Sequence, residues 1–369
     1  MTEAAMPFAP DWVSPPGDSI LDIIEEREWT QVELAQRLGF SLKHVNQLIK
    51  GKVPLTEDAA IRLERVLGST VGFWLAREAR YRERCARLEA AGKHAGWTDW
   101  LDTLPVKEMM TAGAIPKTRV DAKSRPGLVE ACLRFFGVAS PDEWTNHYGA
   151  MQGAFRRTRA EQSDVGAIST WLRMGEQAAE KLDGPKYDRA RFEAALHEIR
   201  KLTLLPPEKF EPLLRKQFHQ AGVAFVLVPG IPRAHVSGVA RWLNPYRPLI
   251  QLSLYGKTND KFWFTVIHEA AHVLLHAREK KSVYLDDADA ADGDSTEERE
   301  ANDWAGRFLI PSKFMPELRE LRTKAQVRQF AEDIGIHPGI VVGRLQHDRL
   351  IAASWMNDLK VGFRFNAHA

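Results

Sequence analysis

The chain has 369 residues, 44% of them hydrophobic and 27% charged, with 51 Lys and Arg against 49 Asp and Glu. That composition excludes a disordered or collagen-like chain. The near-balance of charge excludes a uniformly basic nucleic-acid binder, so any such contact must come from a local patch.

Two cysteines, Cys85 and Cys132, exclude a disulfide framework and a four-cysteine zinc site. The start, MTEAAMPFAPDW, has no basic region and no apolar run of the signal-peptide kind. No uncharged apolar stretch reaches the ~18 residues of a membrane span. The expectation is a cytoplasmic protein without a membrane partner.

Residues 1–16 are proline-rich and read as an extended arm. Asp18 or Ser19 is placed to cap a first helix, with Ile20, Ile23 and Ile24 on its apolar face. The stretch 30–52, TQVELAQRLGFSLKHVNQLIKGK, predicts two short helices across a glycine turn. Thr30 and Glu33 have capping-box spacing, Gly39 makes the turn, and Ser41 caps the second helix. Leu34, Ala35, Leu38, Val45, Leu48 and Ile49 face inward. This is the pattern of a helix-turn-helix, whose second helix enters a DNA major groove. Lys43, His44 and Gln47 are left outward for base edges. Gln31, Lys50 and Lys52 are placed for phosphates, and Ser41 opens the reading helix among them. Residues 1–90 carry 12 Lys and Arg against 14 Asp and Glu, whereas 41–52 carries three lysines and no acid. Non-specific DNA affinity is therefore expected to be modest.

Residues 89–205 read as helical, broken by Pro105, Pro116, Pro126, Pro141 and Pro185, and carry no recognisable chemistry. After Pro206 and Pro207 the texture changes. GVAFVLVPG, HVSGVARWL and PLIQLSLYG, at 222–256, predict a small antiparallel sheet. Helices over 260–277 and 296–310 follow, then a helical tail to about 349. The expected fold is an all-α N-terminal region and helical middle followed by an α+β domain, with boundaries 1–88, 89–205 and 206–369. Residues 285–303 hold nine Asp and Glu against one Arg, and the first half of that run reads as a solvated loop.

The stretch 262–276, FWFTVIHEAAHVLLH, carries the strongest chemical signal. His268 and His272 are four apart and share one helix face, so both can bind one metal. Glu269 sits beside them, placed as a general base for water. The helix is apolar on nearly every other position, which puts it in a core. Buried there, imidazoles and a carboxylate are costly unless paired or metal-bound. A catalytic zinc needs a third protein ligand, and the helix STEEREANDWAGRFLIP, 295–311, is the donor. Glu300 and Glu297 are the two candidates, because Ser295 and Glu298 have the spacing of a capping box. Asn302 or Asp303 could orient a ligating histidine. His276 reads as buried or orienting, since three histidines on one straight helix do not readily reach one ion. His235 and Tyr255 are guesses for an oxyanion donor.

Residues 11–39 resemble the opening of Xre-type repressors and, more narrowly, of HigA-like antitoxins. That resemblance implies a homodimer formed through the helices after the reader, about 56–83, with Phe73 and Trp74 on the partner face or in the core. The stretches SGVARWL (237–243), LIQLSL (249–254), DKFWFTVIHEAAHVLLH (260–276) and EREANDWAGRFLIP (298–311) are similar to the ImmA/IrrE metallo-endopeptidases. This implies a zincin-like fold, Zn2+ held by His268, His272 and Glu300, Glu269 as base, and cleavage of a regulatory protein. Ala271 and Tyr255 depart from the usual family residues. The combined reading is an operator-binding regulator with a zinc endopeptidase domain. The rival is an antitoxin or repressor that binds a cognate toxin, with a zincin domain that senses or docks without proteolysis. Residues 324–346 faintly echo 31–51 and are read as a helical hairpin packed on the peptidase.

Overall fold

The structure is a computed structural model. It describes residues 13–149, 164–253, 258–276, 284–287 and 296–363. The chain divides into two compact units, Met1–Thr98 and Asp99–Ala369.

The first unit is five helices: α1 (Pro16–Glu26), α2 (Gln31–Leu38), α3 (Leu42–Ile49), α4 (Glu57–Leu67) and α5 (Val71–Gly96). Thr30, Ser41, Thr56 and Thr70 cap the last four, each hydroxyl accepting from the backbone N–H three residues on. Gly39 ends α2 at φ +69°, a left-handed conformation that costs a glycine little. Ile20, Leu34, Val45, Leu63 and Trp74 are fully buried in the common core. Trp74 is thus core, while Phe73 stays 41% exposed. Two local expectations are corrected. Helix α1 begins at Pro16, whose fixed φ suits a first turn, and Asp18 lies inside it, accepting from the Ser14 hydroxyl. The Glu33 carboxylate is engaged by Arg37 one turn on, at 2.8 Å.

The second unit opens with α6 (Val106–Thr111), α7 (Arg125–Phe136), α8 (141–149), α9 (Val165–Glu180), α10 (Arg189–Lys201) and α11 (Pro207–Gln220). Then come β1 (Ala224–Leu227), β2 (Val236–Asn244), β3 (Arg247–Leu252), α12 (Asn259–Leu275), β4 (Tyr284–Asp287) and α13 (Thr296–Leu309). Helices α14 (Met315–Glu320), α15 (Lys324–Ile334) and α16 (Pro338–His347) close it.

The sheet has the order β1-β3-β2-β4. It is mixed, not wholly antiparallel as expected. Strand β3 inserts between β1 and β2, so it runs antiparallel to β2 and parallel to β1. Strand β4 pairs antiparallel with β2 and takes in Asp286 and Asp287, so the acidic run begins as a strand and not as a loop. Residues 288–295 of that run lie outside the described residues.

Alternation along the strands explains why both sheet faces are covered. Phe225, Ala240, Ile250 and Leu252 point into a core shared with α10, α11, α12, α13, α15 and α16. Their neighbours Ala224, Val226, Val239 and Leu249 point the other way, onto Ile168, Trp171 and Leu172 of α9. The motif-poor segment before the strands therefore supplies the sheet's second layer. The α15–α16 hairpin packs on α12, with Val341, Val342 and Leu345 fully buried.

One buried ion pair ties α9 to the sheet. Arg241 of β2, 5% exposed, donates to Glu176 at 2.5 Å and to the Leu172 carbonyl at 2.7 Å. Burial pushes the Glu176 carboxyl up, and Arg241 with Arg173 overcomes it, leaving its pKa below the usual value. Arg241→Met would strand much of that charge, at a cost of about 3–5 kcal/mol. Urea unfolding of the single variant and of Arg241→Met/Glu176→Leu checks this. The double variant should recover most of the loss, and a single-variant loss under about 1 kcal/mol would contradict the assignment.

Candidate metal centre and nucleic-acid interface

In the first unit, α2 and α3 meet across Gly39 as the spacing predicts. Ser41, Lys43, Lys50 and Lys52 are exposed along one edge of the second helix and its end. Gln31, His44 and Gln47 are half-buried, and the His44 ring packs edge-on against Phe40 at 4.8 Å. The second helix and the turn after it thus present three lysines to solvent, Lys43 on the helix and Lys50 and Lys52 at its end, with Gln47 and His44 half-buried.

In the second unit, α12 is buried almost all round. Trp263, Val266, Ile267, Ala270 and Ala271 are fully buried, as are His268 and Glu269 between them. Its first turn is anchored by the C-terminal segment. The Asn259 N–H donates to the Val361 carbonyl, the Val361 N–H returns to Asn259 Oδ1, and Asp260 pairs with Lys360 at 2.5 Å. These contacts fix how the helix lies against the sheet.

His268 and His272 are 1% and 2% exposed, and their Nε2 atoms lie 3.0 Å apart. Glu298 of α13 stands opposite, with carboxylate oxygens 3.2 Å from His268 Nε2 and 3.4 Å from His272 Nε2. The three ligand atoms lie within 4.8 Å of one another. Two imidazole nitrogens and one carboxylate oxygen, buried and converging, form a donor set that fits a zinc-like cation. Burial lowers the His272 pKa to about 4, which leaves a neutral ring with a lone pair at neutral pH. Burial acts to raise Glu298, but hydrogen bonds from His268 and His272 hold it at about 2. Neutral imidazole and ionised carboxylate are the states a metal requires.

Glu269 is wholly buried beside them. Its carboxylate lies against the backbone of β2: a Cβ at Gly238 would stand 2.4 Å from Glu269 Oε1, which only glycine avoids. His235 lies half-buried in the approach to β2, at φ +48°. Tyr255 lies outside the described residues.

Glu300 does not join the cluster. Its side chain is 58% exposed and its Oε2 lies 3.1 Å from His276 Nε2. Glu297 is half-buried and is not among the converging groups. The correction has a geometric cause. Helix α13 buries Ala301, Ala305 and Leu309, and Glu298 lies on that stripe, three residues before Ala301. Glu300 is two residues on, about 200° around the axis. The 298, 301, 305, 309 spacing was the signal available in the sequence, hidden behind the capping-box reading. Ser295, the other half of that box, lies outside the described residues. Asp303 is exposed and faces Arg307, so it orients no histidine.

These placements give a direct measurement. Glu298→Ala should lower metal content well below one ion per chain after dialysis with zinc, whereas Glu300→Ala should keep about one. Elemental analysis of the purified variants decides it; the reverse result would restore Glu300 as the third ligand.

Residues 232–346 match the family model of the M78 peptidases, described as the IrrE N-terminal-like domain. Residues 20–74 match the helix-turn-helix family model. No curated protein and no solved structure matches the chain. No helix among the described residues is long and apolar enough to cross a membrane. The chain joins a helix-turn-helix DNA-binding domain to a protease-like, IrrE N-terminal-like domain.

Proposed function

We propose that the chain is an operator-binding regulator whose second unit is a zinc-dependent endopeptidase acting on a regulatory protein. The observation that carries this is the buried row on α12. His268 and His272 converge with Glu298, and Glu269 lies between the two histidines in the chain, its carboxylate against a strand backbone. His268, His272 and Glu298 would hold the ion. When bound, zinc supplies Lewis acidity toward water and a peptide carbonyl. Glu269 then takes the proton from the water that attacks the carbonyl carbon. It returns that proton to the amide nitrogen as the C–N bond breaks, leaving a carboxylic acid and an amine, between which the remaining water proton then distributes. A base buried on the metal helix serves that exchange.

The first unit supplies DNA binding through Lys43, His44 and Gln47, with Gln31, Ser41, Lys50 and Lys52 at the backbone. A homodimer formed through 56–83 completes the reading, with Phe73 on its face.

Two measurements test these halves separately. Glu269→Gln should bind as much zinc as wild type while the protein partner, co-expressed in cells, survives only with the variant. If the partner survives with both, the domain docks or senses without cutting. For DNA, Lys50→Ala and Lys52→Ala should each reduce the slope of log K against log salt by about 1. Unchanged slopes in both variants would remove this edge from the interface.

A further inference from the structure

Helix α12 ends in a chain of contacts that the metal reading leaves unused. His272 has two ring nitrogens. Its Nε2 faces His268 and Glu298, and its Nδ1 lies 3.1 Å from Nδ1 of His276, which follows the last helical residue. On the far side of that ring, His276 Nε2 lies 3.1 Å from Glu300 Oε2. The His276 side chain is 8% exposed, and the Glu300 side chain is largely in solvent. A line of hydrogen-bonding groups therefore runs from a buried ligand to the protein surface.

The proton positions along this line follow from the chemistry of the rings. A neutral imidazole carries one proton. A ring that offers its Nε2 lone pair to a cation carries that proton on Nδ1. The Nδ1–H of His272 must then donate, and the atom facing it is His276 Nδ1, which accepts only if its own proton sits on Nε2. That proton points at a carboxylate oxygen. Each donor meets an acceptor, so Glu300 selects the tautomer of His276, and His276 selects that of His272.

We propose that His276 and Glu300 form a positioning pair that fixes the ring orientation and tautomer of His272, and that the family-like pair of glutamates on α13 divides into one ligand, Glu298, and one outer anchor, Glu300. This rests on the metal reading above. It explains why two carboxylates two residues apart on one helix meet different histidines, Glu298 facing His268 and His272 and Glu300 facing His276. It also gives His276 a role that does not require three histidines to reach one ion. Partners that orient metal ligands in this way commonly contribute 10- to 100-fold in metal affinity.

The test measures zinc affinity by competition with a chromophoric chelator, and the visible spectrum of the cobalt-substituted protein. His276→Phe keeps a ring but removes the acceptor. It should weaken zinc binding roughly 10- to 100-fold and alter the cobalt spectrum. His276→Asn, whose amide oxygen can replace Nδ1, should recover most of both. Glu300→Gln should stay near wild type, and Glu300→Ala should lose less than His276→Phe, because water can replace an exposed anchor. Equal losses in His276→Phe and His276→Asn would mean packing alone and would overturn the pair, as would wild-type affinity in His276→Phe. Should His276→Phe fail to fold, nitrogen-15 NMR of the zinc-loaded wild type decides. A scalar coupling between the two Nδ1 nitrogens supports the pair, and its absence overturns it. A wild-type protein that binds no metal overturns the metal reading itself, and this inference with it.

Discussion

The second unit is organised around one constraint: polar groups on α12 lie where water does not reach. His268, Glu269 and His272 occupy two successive turns of a helix that is mostly buried and apolar around them. Charge there is expensive unless something answers it. Burial resolves half the problem by keeping the His272 ring neutral. Glu298 brings a carboxylate from another helix, held ionised by hydrogen bonds from the two rings. The sheet, the C-terminal anchor on Asn259 and the α15–α16 hairpin all pack against this helix. Each fixes it in a position where the three donor atoms converge.

Close approach is the second requirement, and small residues meet it. Gly238 lets the β2 backbone lie on the Glu269 carboxylate. Gly343 on α16 does the same for Asp260, whose Oδ2 would stand 2.7 Å from a Cβ at that position. Ala301 and Ala305, fully buried, keep α13 slim where it meets α12. None of these residues carries chemistry. They set how near the strand and the flanking helices come to a helix that does, and a methyl group at Gly238 would press on the carboxylate proposed as the base.

Local rules made much of this legible. Helix spacing and caps located α2 and α3 to within a residue, because Thr30, Gly39 and Ser41 act on backbone groups only a few positions away. The same is true of α12, where an apolar run around two histidines admits few alternatives. Long-range facts were hidden. That β3 inserts between β1 and β2 depends on packing against α9, and nothing within the strands encodes their order. The role of 89–205 was silent for the same reason: α9 is recognisable as a helix, but its burial against the sheet is written in Ile168, Trp171 and Leu172, which look like any apolar stripe. The placement of Glu298 beside the histidines was hidden because one residue satisfies two local patterns. Glu298 has capping-box spacing from Ser295 and also lies on the buried stripe, and the stripe places it opposite the histidines.

That choice between patterns follows from the relative size of the forces involved. A helix cap contributes on the order of 1 kcal/mol and can be supplied by water or by a neighbouring hydroxyl. A carboxylate buried without hydrogen-bond partners costs several kcal/mol, and the two histidine rings are partners of Glu298. When one carboxylate can serve either purpose, the buried cluster takes it. Glu300, turned toward solvent, is then left for a weaker task at the rim. The two glutamates differ by two positions in sequence, and their separation around the helix axis is enough to give one a buried partner set and the other a single histidine at the edge of the core.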